Sequence, residues 1–563
     1  MTRTPDFDAI VVGSGITGGW AAKELTEKGL RVLVLERGRA IEHGTDYVTE
    51  HEPPWEIPMR GLPLRDLYDA EYPIQSRLEP FGETTRHFYV NDAQNPYDYD
   101  PARPWLWIRT DVLGGRSLLW SSQVYRWSDL DFEANAKDGH GIDWPIRYED
   151  LAPWYAHVER FIGVSGQPEG LPHLPDGEFL PPMEMNTAER VAKQKIEAAY
   201  DDRIVTIGRV AILTRDHGGR AACHYCGPCE RGCSTGSYFS SLSSTLPAAR
   251  ATGKLTVRTD SVVESLDWDA TTGRVRAVRV VDAKTREPRE YTARVVFLCA
   301  ATVGSTQILL NSRSETFPNG LANRSGVLGR YLMDHTFGLS GLGILPGHED
   351  AYFYGHRPNG IYVPRFRNVG RPHDGFVRGY NYQGRATRLS WRLEQASAPP
   401  YGPELKAALR TPGPWALALL GFGECLPRAE NRVALHPSKR DRFGIPQVTF
   451  AFALGENELA MRRDAAGEAE RMLRTAGATQ VMPSAAVRPG GGAMHEMGTA
   501  RMGRDPRESV LNGFNQAHDV ANLFVTDGSC MTSSGCVSPS LTFMALTARA
   551  ADHAVHLLRE GVL

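Results

Sequence analysis

Residues 6–38 read DFDAIVVGSGITGGWAAKELTEKGLRVLVLERG, and the fold turns on this stretch. Ile10-Val11-Val12 is a short continuous apolar run, as expected of a parallel strand buried on both faces. Gly13, Gly15 and Gly18 follow at once in the spacing G-x-G-x-x-G. A helical pattern comes next, with Ile16, Trp20, Ala21 and Leu25 on one side and Gly29 as its stop. Arg31 to Leu35 makes a second apolar strand, and Glu36 closes it about twenty residues past the glycines. Each part has a physical task. The first glycine turns the chain, the second lets a pyrophosphate reach the backbone, and the third lets helix and strand pack closely. Free N–H groups at the helix start attract phosphate, and an acid at Glu36 suits a ribose hydroxyl. Strand, glycines, helix, strand and acid in this order predict a Rossmann-like βαβ unit that binds a dinucleotide. Taken alone, the unit does not choose between nucleotide cofactors.

The rest of the chain sets bounds on that reading. Its 563 residues leave room for two to four domains. Apolar content of 41% and charged content of 23% are those of an ordinary globular protein. A formal net charge of −3 gives no basic field, so nucleic acid is not an expected partner. No run of eighteen apolar residues occurs, so no membrane-spanning helix is expected. MTRTPDFD leads directly into the first strand, which leaves no room for a signal peptide. The expected location is therefore the cytoplasm, with export alongside a signal-bearing partner left open.

Residues 41 to 105 are rich in Pro, Tyr, Trp and charge and have no clear period, the composition of long loops. RTDVLGGRSLLW at 109–120 contains Gly114-Gly115, a second place for close backbone approach. Amphipathic helices are expected from near Asp150 and over 187–200. Between 255 and 299 the pattern changes to strands, with Thr272-Gly273 as a hairpin turn and a helix beginning after Gly304. Short alternating runs and a helix near 456–475 suggest that residues 325–490 form a separate antiparallel sheet with helices. An apolar strand and a long amphipathic helix close the chain.

Cys223, Cys226, Cys229 and Cys233 follow C-x2-C-x2-C-x3-C, the bacterial ferredoxin run without its closing Pro. Thiolates so spaced can wrap an iron–sulfur cluster, and a zinc site or a local disulfide stays open beside it. Cys299, Cys425, Cys530 and Cys536 are scattered and read as small core residues.

The N-terminal fingerprint, VLGGRS, DWPIRYEDLAPWY, LCAATVGSTQILLNS, GRYLMDH, HEMGTARMG and the closing TDGS…PSLTFMAL together resemble the glucose-methanol-choline (GMC) oxidoreductases. The pattern is closest to bacterial sugar dehydrogenases and pyranose oxidases. The resemblance implies an α/β FAD-binding domain that is discontinuous in sequence, plus an α+β substrate domain with a large antiparallel sheet. Residues 1–45, 105–130, 205–325 and 491–563 are expected in the first, and 46–104, 131–204 and 326–490 in the second. FAD would lie with its ADP half on Gly13, Ser14, Gly15, Thr17, Gly18, Glu36 and Arg37. Val263 matches the position whose backbone touches the adenine, and Gly114, Gly115 and Ser117 match the loop beside pyrophosphate and flavin. Ala301, Asp527, Gly528, Ser540 and Thr542 complete the expected FAD contacts. Pyranose oxidases with covalent FAD place a His where this chain has Leu119, so the flavin is expected to be non-covalent, with Ser121 near its N5.

The likeness also implies the chemistry. Oxidising an alcohol needs a base for the hydroxyl proton and an acceptor for the hydride; the flavin is the acceptor. His495 in HEMGTARMG is the expected base, because histidine titrates near neutrality. The family partner before the terminal Pro is Asn or His, whereas this chain has Ser538, which is shorter but can still bond the substrate hydroxyl. Glu496 is expected to be structural. The spacing of Cys223, Cys229 and Cys233 resembles the cluster-binding cysteines of FAD-dependent glucose dehydrogenases. The expected substrate is a secondary hydroxyl of a sugar or glycoside. A sterol, long-chain or aromatic alcohol, or a non-redox lyase reaction, stays open. So does the electron acceptor (oxygen, quinone or redox protein), and so does assembly with a small subunit or with copies of the chain.

Overall fold

Phe7–Val12 (β1) forms the middle of a five-stranded parallel sheet, and its last four residues are buried, as the apolar run requires. This computed structural model describes residues 5–53, 55–351, 355–389, 402–408, 410 and 412–563. Labels are given below to the elements that build the site. Beside β1 lie Val32–Leu35 (β2) and Ala293–Leu298 (β4), flanked by Leu255–Arg258 (β3) and Leu523–Val525 (β10), in the order β10-β4-β1-β2-β3. Val12 is opposite both Leu35 and Leu298, and Leu298 is opposite Val525. Four strands thus end level. Their next residues, Gly13, Glu36, Cys299 and Thr526, leave together along one carboxyl edge, where ligands of open parallel sheets bind.

Helix α1 (Ile16–Glu27) leaves that edge. Gly13 makes the turn at φ +94°, and a Cβ on Gly18 would lie 2.0 Å from the Gly13 carbonyl oxygen, so helix and strand meet only as glycines. The helix ends before Gly29, which takes φ +101°. Ser261–Asp269 and Arg274–Asp282 pair antiparallel across the expected Thr272-Gly273 turn. Helix α2 (Thr302–Asn311) begins three residues before the expected start. Its first turn is already closed by Ser305 N–H to Ala301 O at 2.9 Å, so Gly304 lies inside the helix.

The second sheet is antiparallel. It contains Thr336–Leu345 (β5), Ile361–Val363 (β6), Tyr380–Arg388 (β7), Trp415–Gly423 (β8) and Thr479–Pro483 (β9) in the order β9-β5-β8-β7-β6. Thr206–Ile207 adds a sixth strand at the β6 edge, so this sheet also draws on the 205–325 stretch. The helix expected near 456–475 is Glu456–Thr475 (α3), and it covers one face. Tyr382 Oη donates to Ala465 O at 2.6 Å, Arg462 Nη1 donates to Ser340 Oγ at 3.0 Å, and a Cβ on Gly341 would press within 2.8 Å of Leu473. Alternation then places Phe337, Leu339, Leu420, Phe422, Asn381, Gln383 and Arg385 on the other face.

Helices at Tyr148–Ile162 and Thr187–Ala199 match the sequence pattern. The loop-like stretch 41–105 holds one seven-residue helix, Arg65–Glu71, and a two-residue strand, Asp98–Tyr99, that joins Pro446–Ala451. The sequence pattern also places a Pro-Gly loop at 411–414, of which residue 411 lies outside the described residues. The four scattered cysteines are buried, and so are Trp105, Trp127 and Trp144. Among the described residues, no helix is long and apolar enough to cross a membrane. The C-terminal helix Ser540–Arg559 (α4) packs against α1.

Candidate active site

The glycine turn is held from three sides. Ser14 N–H donates to Glu36 Oε2 at 3.0 Å and its hydroxyl donates to the same oxygen, while Gly38 N–H donates to Glu36 Oε1 at 2.8 Å. Burial pushes the Glu36 carboxyl up from its ordinary range. Gly114 N–H donates to Ser14 Oγ at 2.8 Å, and a Cβ on Gly115 would stand 3.4 Å from Gly15 Cα, so the second glycine pair lies directly over the first. Ser117 Oγ donates to Gly114 O at 2.6 Å and accepts from Ser241 N–H at 3.0 Å. Ser241 Oγ in turn donates to Gly15 O at 2.8 Å, a contact with no sequence signal.

The turn fits a pyrophosphate. Nothing lies within 4 Å of where a Cβ on Gly15 would stand, and α1 begins there with no side-chain cap and no acid in its first turn. Its free N–H groups therefore point into open space. Thr17 and Val263 are buried, and Ala301 caps α2 at φ +63°. Asp527 accepts from Ser529 N–H (3.0 Å), Ser529 Oγ (2.6 Å) and Ser305 Oγ (2.5 Å), and burial raises its pKa. A Cβ on Gly528 would lie 2.2 Å from Glu496 O. Helix α4 starts at Ser540 without an acid in its first turn, and Thr542 Oγ1 is 2.8 Å from the Tyr155 hydroxyl. Arg37 turns aside and donates to Asn95 Oδ1 at 3.0 Å. Leu119 is buried and Ser121 is exposed.

His495 follows the glycine run and meets a second histidine. His335 Nδ1 and His495 Nδ1 are 2.8 Å apart, with the rings nearly perpendicular at 89°. His335 Nε2 faces two carbonyl oxygens, Ser534 O at 3.2 Å and Gly535 O at 3.0 Å. Carbonyl oxygens only accept, so Nε2 of His335 carries the proton. Burial brings His335 down to about 4, so it is neutral and its Nδ1 is a lone pair. His495 Nδ1–H must then donate to it, which leaves His495 Nε2 bare as a proton acceptor. Burial, then His335 and Arg116, hold His495 well below the usual histidine range.

Asp334 fixes the His495 backbone. Its carboxylate accepts from the N–H groups of Ala493 and His495, both at 3.1 Å, and burial with Glu496 nearby pushes it up to about 7. Arg116 grips both oxygens of Glu496 at 3.0 and 2.7 Å. Phe422 reaches the His495 ring at a centroid distance of 5.9 Å, which sets the open face of the large sheet against the histidine. Ser538 accepts from Gln383 Nε2 of that face at 3.2 Å. His335 and Gln383 were not singled out in sequence. The only signal was the MDH of GRYLMDH.

All four clustered cysteines are free. They lie within electrostatic reach of one another, and Cys223, Cys229 and Cys233 pack with Trp120 and Tyr238, next to the Gly114–Ser121 loop, while Cys226 is exposed. A single tetrahedral ion, with metal–sulfur bonds of about 2.3 Å, needs thiolates within about 4 Å of each other. Among the described residues, only Asp131, Glu424 and Cys536 bring three ligand-type atoms within 4.8 Å. That trio is already occupied, with Glu424 on Arg365 at 2.7 Å and Asp131 accepting from Ser128 N–H at 2.9 Å.

Family models described as GMC oxidoreductase match residues 7–337 and 427–547. The chain belongs to the GMC oxidoreductase family. This GMC oxidoreductase is thus an FAD-binding flavoprotein and an enzyme that acts on CH–OH groups. It is 29% identical to 2-methyl-1,2-propanediol dehydrogenase of Mycolicibacterium austroafricanum, over 98% of this chain and 96% of that one. It is 26% identical to the fructose dehydrogenase large subunit of Gluconobacter japonicus, over 99% of each. The structure of pyridoxine 4-oxidase from Mesorbium loti matches with a TM-score of 0.59 and 16% identity, over 98% of this chain and 99% of that one, a likeness of fold.

Proposed function

We propose that this GMC oxidoreductase oxidises a secondary hydroxyl of a sugar or glycoside to a ketone. The observation that carries the reading is the His335–His495 pair, whose hydrogen bonds leave His495 Nε2 as an acceptor. His495 Nε2 takes the hydroxyl proton, and Ser538, held by Gln383, orients that hydroxyl. Bound FAD supplies the acceptor for the hydride leaving the same carbon. Asp334 holds His495 through its backbone N–H, and Arg116 holds the neighbouring Glu496. The dehydrogenase and the fructose dehydrogenase subunit among the relatives support a polyol or sugar substrate. Anaerobic addition of sugars, glycosides and simple alcohols to the enzyme is the test. Bleaching of the flavin by polyols is expected. A spectrum that none of them changes would leave a lyase or a different alcohol.

FAD is held without a covalent bond, since Leu119 offers no nucleophile; acid denaturation should leave no flavin on the precipitate. Cys223, Cys226, Cys229 and Cys233 would hold an iron–sulfur cluster, which would supply one-electron transfer toward an outside acceptor. In support, the four thiols are close enough to act on one another electrostatically, and Cys223, Cys229 and Cys233 pack beside Trp120 and Tyr238. Iron and acid-labile sulfide in the purified protein are expected, and zinc in their place would refute the cluster.

A further inference from the structure

The open face of the large sheet is apolar or neutral at Phe337, Leu339, Leu420, Phe422, Asn381 and Gln383, and carries one cation, Arg385. Gln383 marks the reacting end through its bond to Ser538. Arg385 is two residues farther along β7 on the same face, about 7 Å away. It is exposed, and its Nη2 donates to Pro358 O at 2.8 Å. The acid on its flank is committed, because Glu189 gives both oxygens to Arg357 Nη2 at 2.7 Å. Among the described residues, no carboxylate stands within 4.0 Å of the Arg385 guanidinium. The surrounding protein, followed by repulsion from Arg357, lowers its pKa, while Glu189 acts on it only at longer range. Cys229 and Glu230 are close enough to be felt electrostatically, which puts Arg385 toward the cysteine segment and away from His495.

A guanidinium in this condition presents a planar fork that a carboxylate matches with two parallel hydrogen bonds. We propose that Arg385 is a specificity residue that receives the carboxylate of a sugar acid, making aldonates or uronates the preferred substrates over neutral sugars. The inference rests on the His495–Ser538 reading of the reacting end. The distance from Gln383 to Arg385 is that of a short polyhydroxy chain, so a hydroxyl-bearing carbon at Ser538 and a carboxylate at Arg385 belong to one molecule.

The test uses the holoenzyme and anaerobic flavin reduction by D-gluconate and D-glucuronate against D-sorbitol and methyl glucoside. Wild type should show at least tenfold higher kcat/KM for the acids, carried mainly by KM and weakened by added sodium chloride. In Arg385→Gln, with FAD content unaltered, the acid-to-neutral ratio should fall at least tenfold, and Arg385→Lys should recover part of it. Wild type that favours the neutral compounds rejects the proposal and leaves the hydroxyl oxidation standing. Equal losses for both substrate sets in Arg385→Gln, with iron lost from the protein, also reject it and give Arg385 to the cysteine segment. Failure of every polyol to reduce the flavin overturns both readings.

Discussion

The state of His495, the proposed base, is decided by two carbonyl oxygens that touch a different histidine. Ser534 O and Gly535 O force the proton of His335 onto Nε2, and the 2.8 Å Nδ1–Nδ1 bond then forces the tautomer of His495. His495→Ala should keep FAD but slow anaerobic flavin reduction by about 10²–10⁴-fold; an unchanged rate would remove His495 from the role of base. The base form of His495 must be present for proton transfer, and burial holds its pKa well below the usual value. Flavin reduction should therefore be independent of pH from about 6.5 upward and decline only in more acid solution. A midpoint above 7 would contradict that environment. His495 was legible in sequence because a motif surrounds it. His335 and Gln383 were not, since each meets its partner across 155 residues or more and no local pattern records such a meeting.

The element that begins the chain separates two functions of glycine. Gly18 lies against the Gly13 carbonyl, whereas Gly15 meets nothing within 4 Å. Gly18→Ala should lower the stability of the FAD-free protein by about 1–3 kcal/mol or more through overpacking. Gly15→Ala should leave that stability within about 0.5 kcal/mol yet weaken FAD binding at least tenfold, because its methyl enters the space meant for phosphate. Thermal melts of the FAD-free variants followed by flavin titration separate the two effects, and equal loss of stability in both would refute the distinction. The βαβ unit was legible because strand, turn and helix are contiguous, with periods that change where the elements change. The start of α2 was less so. The pattern starts the helix after Gly304, yet Ala301 turns the chain earlier at φ +63°, a conformation that tertiary contacts impose.

In the whole molecule, Gly13–Gly18, Glu36, Gly114–Ser117, Ala301 and Asp527–Gly528 come from five separated segments and converge on one carboxyl edge. One bound FAD would tie them together. Removing it should lower the melting temperature, and free FAD at a hundred times its dissociation constant should restore about 2.7 kcal/mol. A melt indifferent to FAD would mean that these segments hold their places unaided. The family architecture was legible from motifs strung in order along the chain. The sheet order and the strand that Thr206–Ile207 lends to the second sheet were not, because pairing between distant strands depends on the assembled fold.

The alternation of that second sheet has an evolutionary consequence. Ser340, Gly341 and Tyr382 face α3 and bear on folding, while Phe337, Leu339, Gln383 and Arg385 face the histidine side and bear on selectivity. Every second residue can thus drift toward a new substrate while its neighbours keep the scaffold. A combinatorial library confined to those outward positions should yield a high proportion of folded, flavin-loaded variants with altered preferences.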